Sequence, residues 1–131
     1  MAITAQAKIN ADHYKVTLTT STNTFIADEP EEKGGKNEGP NPQEIFLASL
    51  GACTCATLRM YADRKEMKLD SVYVELILER DEEKNETNIS RQITLTGNLS
   101  DEEKKRLMQI ADKCPVHKIM SNPIHITTSG A

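Results

Sequence analysis

The sequence predicts a domain of the α+β class, because its strand-like and helix-like segments occur in separate blocks. Strand-like segments and a loop fill residues 1–40, and residues 41–131 open with a long apolar helix. Two further strands, a second helix and a last strand follow. At 131 residues the chain has the length of a single domain with its own core, so we treat residues 1–131 as one domain.

The first 40 residues show the pattern of short strands that end in a loop. The segments AQAKIN, HYKVTLTT and NTFIAD are short and rich in Thr, Val and Ile. Residues 29–40, EPEEKGGKNEGP, predict a charged loop that contains glycines.

The clearest element is the helix that begins after Asn41. Asn41 suits the N-cap, Pro42 suits the first helical position, and Glu44 has the spacing of a capping box. Residues 45–62 are apolar or small on nearly every side, which predicts a helix buried on all sides. The strands of one chain are too few to cover such a helix, so we expect a homodimer in which the partner covers part of it.

The rest of the chain predicts a hairpin, two helices and a strand. Residues 71–79 and 88–97 alternate apolar and polar positions, the second less strictly, around a polar turn. Ser100 opens a capped helix that has Cys114 in line with its apolar face. The segment PVHKIM predicts a short helix with Cys114 at its N-cap, and IHITT predicts a final strand.

Composition and charge exclude several classes of function. A net charge of -4 without a basic run argues against nucleic acid or a membrane surface as partner. No signal peptide pattern and no apolar stretch of about 18 residues are present, so we expect a cytoplasmic protein without a membrane span. Three cysteines, an odd count, are then expected to be reduced at rest.

Cys114 has two interpretations from its neighbours in the sequence. At a helix N-cap, the free amides and the helix dipole favour a thiolate, which is the reactive form of cysteine. Cys114 also continues the apolar face of the preceding helix, where it would be a small buried hydrophobe. Spacing alone slightly favours the second interpretation.

Cys53 and Cys55 stand two apart in the long helix and therefore face different directions. Only one of them can share a face with Cys114, and the other is expected to fill the core. Together with His117 these cysteines make a list of zinc-type ligands, but a C-x-C inside a continuous helix does not converge on a metal. We therefore expect no metal site.

The segment GPNPQEIFLASLGACT, followed by a hairpin, a capped helix and CPVHK, resembles the OsmC/Ohr family of peroxide-handling proteins. The resemblance extends over nearly the whole chain, and GG before GPNP with RMYADRK after the cysteines is most similar to the OsmC-like branch. It implies an α+β fold in which antiparallel sheets wrap a long buried central helix, as an intertwined homodimer.

The resemblance also implies roles for individual residues. Cys53 matches the peroxidatic thiol of the family and Cys114 the resolving thiol, whereas Cys55 has no counterpart. Glu44 or Gln43 falls where the family has a carboxylate that helps to fix an active-site arginine.

This chain departs from the family in its basic residues. Strongly active members hold the reactive thiolate with an arginine from the N-terminal region, but no arginine precedes Arg59 here. Four lysines are the candidates to replace it: Lys8, Lys15, Lys33 and Lys36. A lysine is a point charge and does not reproduce the fork of a guanidinium.

Two functions remain. The first is a thiol-dependent hydroperoxide reductase in oxidative-stress defence, with an organic hydroperoxide as substrate, a dithiol or thioredoxin-like protein as reductant, and no cofactor. The second is a non-enzymatic dimeric module that binds a small hydrophobic ligand, which the missing arginine favours. Only the first requires Cys53 and Cys114 to lie close enough to bridge, with Cα atoms within about 7 Å.

Overall fold

The computed structural model describes residues 2–130. Its elements in chain order are β1 (Gln6–Ile9), β2 (Val16–Thr19), β3 (Thr24–Ala27), α1 (Pro42–Arg64), β4 (Lys68–Asp81), β5 (Glu86–Asn98), α2 (Asp101–Ala111) and α3 (Pro115–Met120). Both sheets are antiparallel, and helix α1 stands between them in the order of the chain, so the predicted α+β class is confirmed. The chain divides into two compact units, the first ending at Phe46 and the second beginning at Leu47.

The first unit is a three-stranded sheet in the order β1-β2-β3. Leu18 of β2 pairs with Ala7 on one side and Phe25 on the other. The three predicted strands are thus confirmed, although each is shorter than the segment that predicted it. The predicted loop follows β3 and contains a single 3-10 turn at Glu31–Lys33.

A buried carboxylate closes that loop. Asp28 is only 2% exposed, and its two oxygens accept four backbone N–H groups, from Tyr14 (3.3 Å), Glu29 (2.8 Å), Lys36 (3.3 Å) and Glu38 (3.1 Å). The pKa of Asp28 is lowered, chiefly by the N–H of Glu38, with burial opposing and the other three amides adding to the effect.

Helix α1 begins as the sequence predicts. The Glu44 N–H donates to Asn41 Oδ1 at 2.8 Å, and the Asn41 N–H donates to Glu44 Oε1 at 2.9 Å, which completes a capping box. Only one side of the helix is buried, however, and Met60 on the other side is 67% exposed. The expected burial on all sides is therefore not reached within one chain, because the elements of the chain cover one side only.

The same helix also has the length and composition of a membrane span. An 18-residue window in Pro42–Arg64 has a mean hydropathy of 1.4. The sequence-based expectation that no stretch would meet this criterion was therefore wrong. The core helix of a soluble protein meets it as well, since such a helix is also apolar over its length.

The second unit is built on the β4–β5 hairpin, which pairs from Lys68 opposite Asn98 to Asp81 opposite Glu86. The predicted hairpin is thus confirmed and is longer than expected. A bulge interrupts the register between Leu69 and Ser71, opposite Gly97. Gly51 of α1 lies so close to the hairpin that a Cβ there would stand 2.8 Å from Leu76 Cδ1, which is the close approach that small residues permit.

Helix α2 completes the core of this unit. Its N-cap Ser100 accepts the Glu103 N–H, and the Glu103 carboxylate accepts the Ser100 N–H, as predicted. The core cluster joins residues of α1, β4 and α2: Leu58, Tyr61, Ala62, Leu69, Leu107, Ile110 and Ala111.

The chain after α2 is partly as predicted. Cys114 is the N-cap of α3, and its Sγ accepts the His117 N–H at 3.5 Å. The final strand predicted at IHITT is wrong: residues 123–130 form neither strand nor helix in the structure. A strand needs a hydrogen-bonded neighbour, and this segment is exposed throughout, with Ile126 at 85%.

Candidate functional site

The structure brings together two of the three cysteines. Cys53 lies in the middle of α1 and is half-buried, while Cys114 lies between α2 and α3 and is fully buried. Each thiol is among the groups that shift the pKa of the other, so their side chains are neighbours, and both thiols are free. The two residues that the resemblance pairs therefore lie near each other.

Cys53 is in a setting that favours its thiolate. Burial raises the pKa of this thiol, but four other contributions together outweigh burial and lower the pKa below its ordinary value. They are hydrogen bonds from the Cys114 side chain, the Val116 N–H and the Thr57 hydroxyl, and the positive charge of Arg91. A thiol of this kind is more reactive at neutral pH than an ordinary cysteine.

Cys114 is in the opposite setting. Burial raises the pKa of its thiol, and so does the hydrogen bond that it donates to Cys53. The N–H groups of His117 and Val116 act the other way but do not outweigh these effects. The cap position was correctly predicted, but it does not favour a Cys114 thiolate, because burial and the neighbouring sulfur dominate, in line with the buried interpretation that spacing slightly favoured.

Arg91 of β5 is a central residue of the site that the sequence analysis missed. Its Nη1 donates to Thr54 Oγ1 at 3.0 Å and to the Ala111 carbonyl at 3.4 Å. Its Nη2 contacts Asp112 Oδ1 at 3.0 Å and His117 Nδ1 at 3.3 Å.

A signal for Arg91 was present in the sequence. In β5 it stands between Ile89 and Ile93, on the strand positions that face inward, where the alternation calls for an apolar residue. Its side chain is only 12% exposed. A charged residue at an apolar position of a strand indicates a buried partner. The alternation in β5 is less strict because Arg91 stands at such a position.

Cys55 is directed away from the pair. Its Sγ lies 3.8 Å from the Val72 carbonyl oxygen of β4, whereas the Cys53 Sγ lies 3.9 Å from Thr57 Oγ1. The prediction that two cysteines two apart in a helix would have different neighbours, with one of them beside Cys114, is confirmed.

Glu44 takes part in the capping box of α1, as described above. The role that the resemblance implies for it, fixing an active-site arginine, stays a prediction, as does a role for the N-terminal lysines. Within residues 2–130, no three His, Cys, Asp or Glu side chains are grouped so that they could hold a metal ion.

A cavity of about 490 Å³ adjoins Arg91. Its walls are mixed, with apolar, hydroxyl and basic side chains: Leu50, Thr87, Ile89, Arg91, His117, Met120 and Ser121. Such a space can take a small organic molecule with one polar end.

Comparison with known proteins gave a family and a fold. A family model described as OsmC-like protein matches residues 35–129. No curated protein matched the sequence. An OsmC-like protein from Mycoplasma pneumoniae has a similar structure, with a TM-score of 0.78 at 19% identity over 92% of this chain and 87% of that one.

Two similar structures carry names that refer to peroxide. An organic hydroperoxide resistance protein OsmC from Legionella pneumophila has a TM-score of 0.66 at 24% identity, over 92% of this chain and 90% of that one. An organic hydroperoxide resistance protein of Bacillus subtilis has a TM-score of 0.62 at 20% identity, over 92% and 91%. At these identities the likeness shows a common fold.

Proposed function

We propose, from the premise that this chain belongs to the OsmC family, that it is a thiol-dependent reductase of organic hydroperoxides that acts in peroxide defence. Cys53 is the residue that attacks the peroxide and Cys114 the residue that resolves the product. The observation that carries the proposal is that the two thiols are neighbours in opposite electrostatic settings. Names of similar structures that refer to organic hydroperoxide resistance support it.

The reaction takes place in three steps that balance. The Cys53 thiolate attacks the distal oxygen of the hydroperoxide, the O–O bond breaks, and the alkoxide leaves and takes up a proton, so that Cys53 becomes a sulfenic acid and an alcohol is released. The Cys114 thiol then displaces water from the sulfenic acid and a disulfide forms. A dithiol reductant, small or thioredoxin-like, reduces the disulfide and is itself oxidised to a disulfide.

The opposite pKa changes suit these two roles. A lowered pKa at Cys53 supplies the thiolate that the first step needs, while a raised pKa keeps the Cys114 proton in place. The two thiols shift the pKa of each other, so Cys114 stands near the sulfur that it later bonds. None of the three steps requires a metal or an organic cofactor.

The cavity beside Arg91, which neither thiol lines, favours an organic molecule over hydrogen peroxide as its occupant. Leu50, Ile89 and Met120 give the cavity beside Arg91 apolar walls, and an alkyl or aryl group gains free energy by leaving water for such walls. We expect a soluble cytoplasmic homodimer, in which the exposed side of α1 is covered by the second copy.

A second candidate function is supported by the same cavity. Neither Cys53 nor Cys114 lines it, so it can hold a small hydrophobic ligand without any redox chemistry. In that case the protein is a binding module and the cysteines are structural.

Thiol counting and hydroperoxide consumption distinguish the two functions. Reduced wild-type protein treated with cumene hydroperoxide should lose two of its three thiols and release cumyl alcohol. Cys53→Ser should abolish consumption, with a loss of at least about 100-fold, because the nucleophile is gone. Cys114→Ser should react once and stop at a sulfenic acid, which dimedone traps.

Cys55→Ser is the matched control, since it removes a thiol from the same helix that faces away from the pair. It should leave hydroperoxide consumption unchanged. Three thiols that survive excess hydroperoxide in the wild type would refute the reductase and favour the binding module.

A further inference from the structure

Arg91 joins the two segments that carry the paired cysteines. Through Thr54 it is bonded to α1, at the residue next to Cys53. Through the Ala111 carbonyl and Asp112 it is bonded to the end of α2, two residues before Cys114. Both segments are therefore fixed to one side chain of β5.

The bond to His117 brings the same arginine to the other side of Cys114. The Arg91 Nη2 lies 3.3 Å from His117 Nδ1, and the His117 N–H caps Cys114 Sγ at 3.5 Å. An arginine donates only, so this contact is a hydrogen bond in the tautomer whose Nδ1 accepts. Cys114 is thus held from both sides through groups that Arg91 contacts.

The guanidinium is occupied by the protein. Its two Nη atoms together make four contacts, and the side chain is 12% exposed. A planar guanidinium that forms hydrogen bonds through both Nη atoms has a fixed position, unlike the charge at the end of a flexible surface lysine. It is therefore better suited to hold protein groups in place than to bind the acidic group of a ligand.

We propose that Arg91 is the positioning residue that holds Cys114 beside Cys53 and supplies the fixed positive charge for the Cys53 thiolate, with Asp112 and His117 orienting it. This inference rests on the proposed function for its role in turnover. It gives the site a positive charge that does not come from the N-terminal lysines. Burial raises the pKa of Cys53, and the Arg91 charge is among the effects that lower it, as this placement requires.

The test measures the two thiols without hydroperoxide. In a Cys55→Ser background, tryptic peptides separate Cys53 from Cys114, so iodoacetamide labelling of each is followed by mass spectrometry across pH. Arg91→Gln should slow labelling of Cys53 at pH 7 by roughly three- to tenfold and move its pH profile upward, because a nearby positive charge is lost. Closure of the Cys53–Cys114 disulfide by diamide should slow as well.

Arg59→Gln is the matched control. Arg59 also donates hydrogen bonds to a carboxylate, that of Asp63, and to a backbone carbonyl, that of Leu69, both at 2.7 Å. These bonds do not reach the segments on either side of Cys114. In Arg59→Gln, the rate of Cys53 labelling at each pH should stay within about twofold of the rate in the Cys55→Ser parent, since the charge of a more distant, exposed arginine is screened. Equal profiles for Arg91→Gln and Arg59→Gln would overturn the proposal.

Arg91→Lys separates charge from position and serves if Arg91→Gln does not fold. A lysine keeps the charge but not the fork, so Cys53 labelling should recover while disulfide closure stays slow. Closure at the wild-type rate in this variant would refute the positioning role. Disulfide closure by diamide does not depend on peroxide chemistry. If the wild type does not react with hydroperoxide but the Arg91 variants still change thiol labelling and disulfide closure, the reductase is refuted and this inference stands.

Discussion

Two identical side chains acquire different chemistry at this site because of what surrounds each sulfur. Cys53 accepts hydrogen bonds and is near a positive charge, whereas Cys114 is fully buried and donates to its neighbour. A helix N-cap alone would have favoured a thiolate at Cys114. The N-cap position does not decide the pKa of Cys114, because desolvation and a nearby sulfur act at shorter range than the dipole of a six-residue helix.

Asp28 shows the same principle in the first unit, where backbone amides stabilise a buried charge. Replacing it by Asn leaves one accepting oxygen and turns an amide NH2 toward N–H groups, so we expect Asp28→Asn to loosen the loop at residues 29–40. Hydrogen exchange at the amides of Lys36 and Glu38 should become faster at pH 7. The exposed Asp12→Asn is the matched control and should leave this exchange unchanged.

The acid dependence of this contact follows from the lowered pKa of Asp28. A carboxyl whose pKa is lower in the folded state stabilises the fold above its ordinary value of 3.8, and the stabilisation is lost as pH falls through the folded pKa. The difference in melting temperature between Asp28→Asn and wild type should therefore narrow as the pH falls from about 5 to about 2, which is the range in which such carboxyls titrate. A constant difference would contradict the role of the charge.

At the scale of elements, the bulge in the hairpin depends on a single glycine. Gly97 has φ of 148°, and a Cβ there would stand 2.1 Å from the Lys68 carbonyl oxygen. Gly97→Ala should therefore destabilise the protein by about 1–3 kcal/mol, through strain in the backbone and the clash with a carbonyl that cannot rotate away. Chemical denaturation monitored by circular dichroism measures this.

Gly130→Ala is the control for that substitution, because no atom of the residues that the structure describes lies within 4 Å of a Cβ at that position. Its free energy of unfolding should match the wild type within about 0.5 kcal/mol. A Gly97→Ala protein as stable as wild type would show that the bulge can shift along the strands.

The elements that local rules determine were predicted well from the sequence. Capping boxes at Asn41 and Ser100 and the alternation in the hairpin are set by neighbours within a few residues, and each is present. The segment IHITT has strand-like residues too, but a strand also needs a partner, which its own sequence does not specify.

At the scale of the whole molecule, the sequence placed the cysteines but not the residue that joins them. Arg91 is 38 positions after Cys53 and 23 before Cys114 in the numbering, and only the pairing of β4 with β5 and the packing of α1 and α2 bring it between them. A charged residue in the inward phase of a strand could have indicated its burial. Its partners could not be inferred, because they depend on tertiary contacts of sequence separation 20 to 37.

The exposed side of α1 gives the last prediction, which concerns assembly. Ala48, Ala52, Ala56 and Met60 follow one another at steps of four along the helix and are all exposed. Residues four apart lie on one face, and small side chains there let a second helix approach closely. The chain should therefore form a homodimer of twice its 14.6 kDa mass, measurable by analytical ultracentrifugation at micromolar concentration.

Ala56→Glu should raise the dissociation constant of this dimer at least about tenfold, since it places a charge in an apolar contact without weakening the helix. Ile77→Glu is the matched control, because Ile77 is also apolar and 54% exposed but lies on the outer side of the hairpin. It should leave the mass unchanged. A wild-type chain that sediments as a monomer would mean that the apolar side of α1 is covered by something other than a second copy.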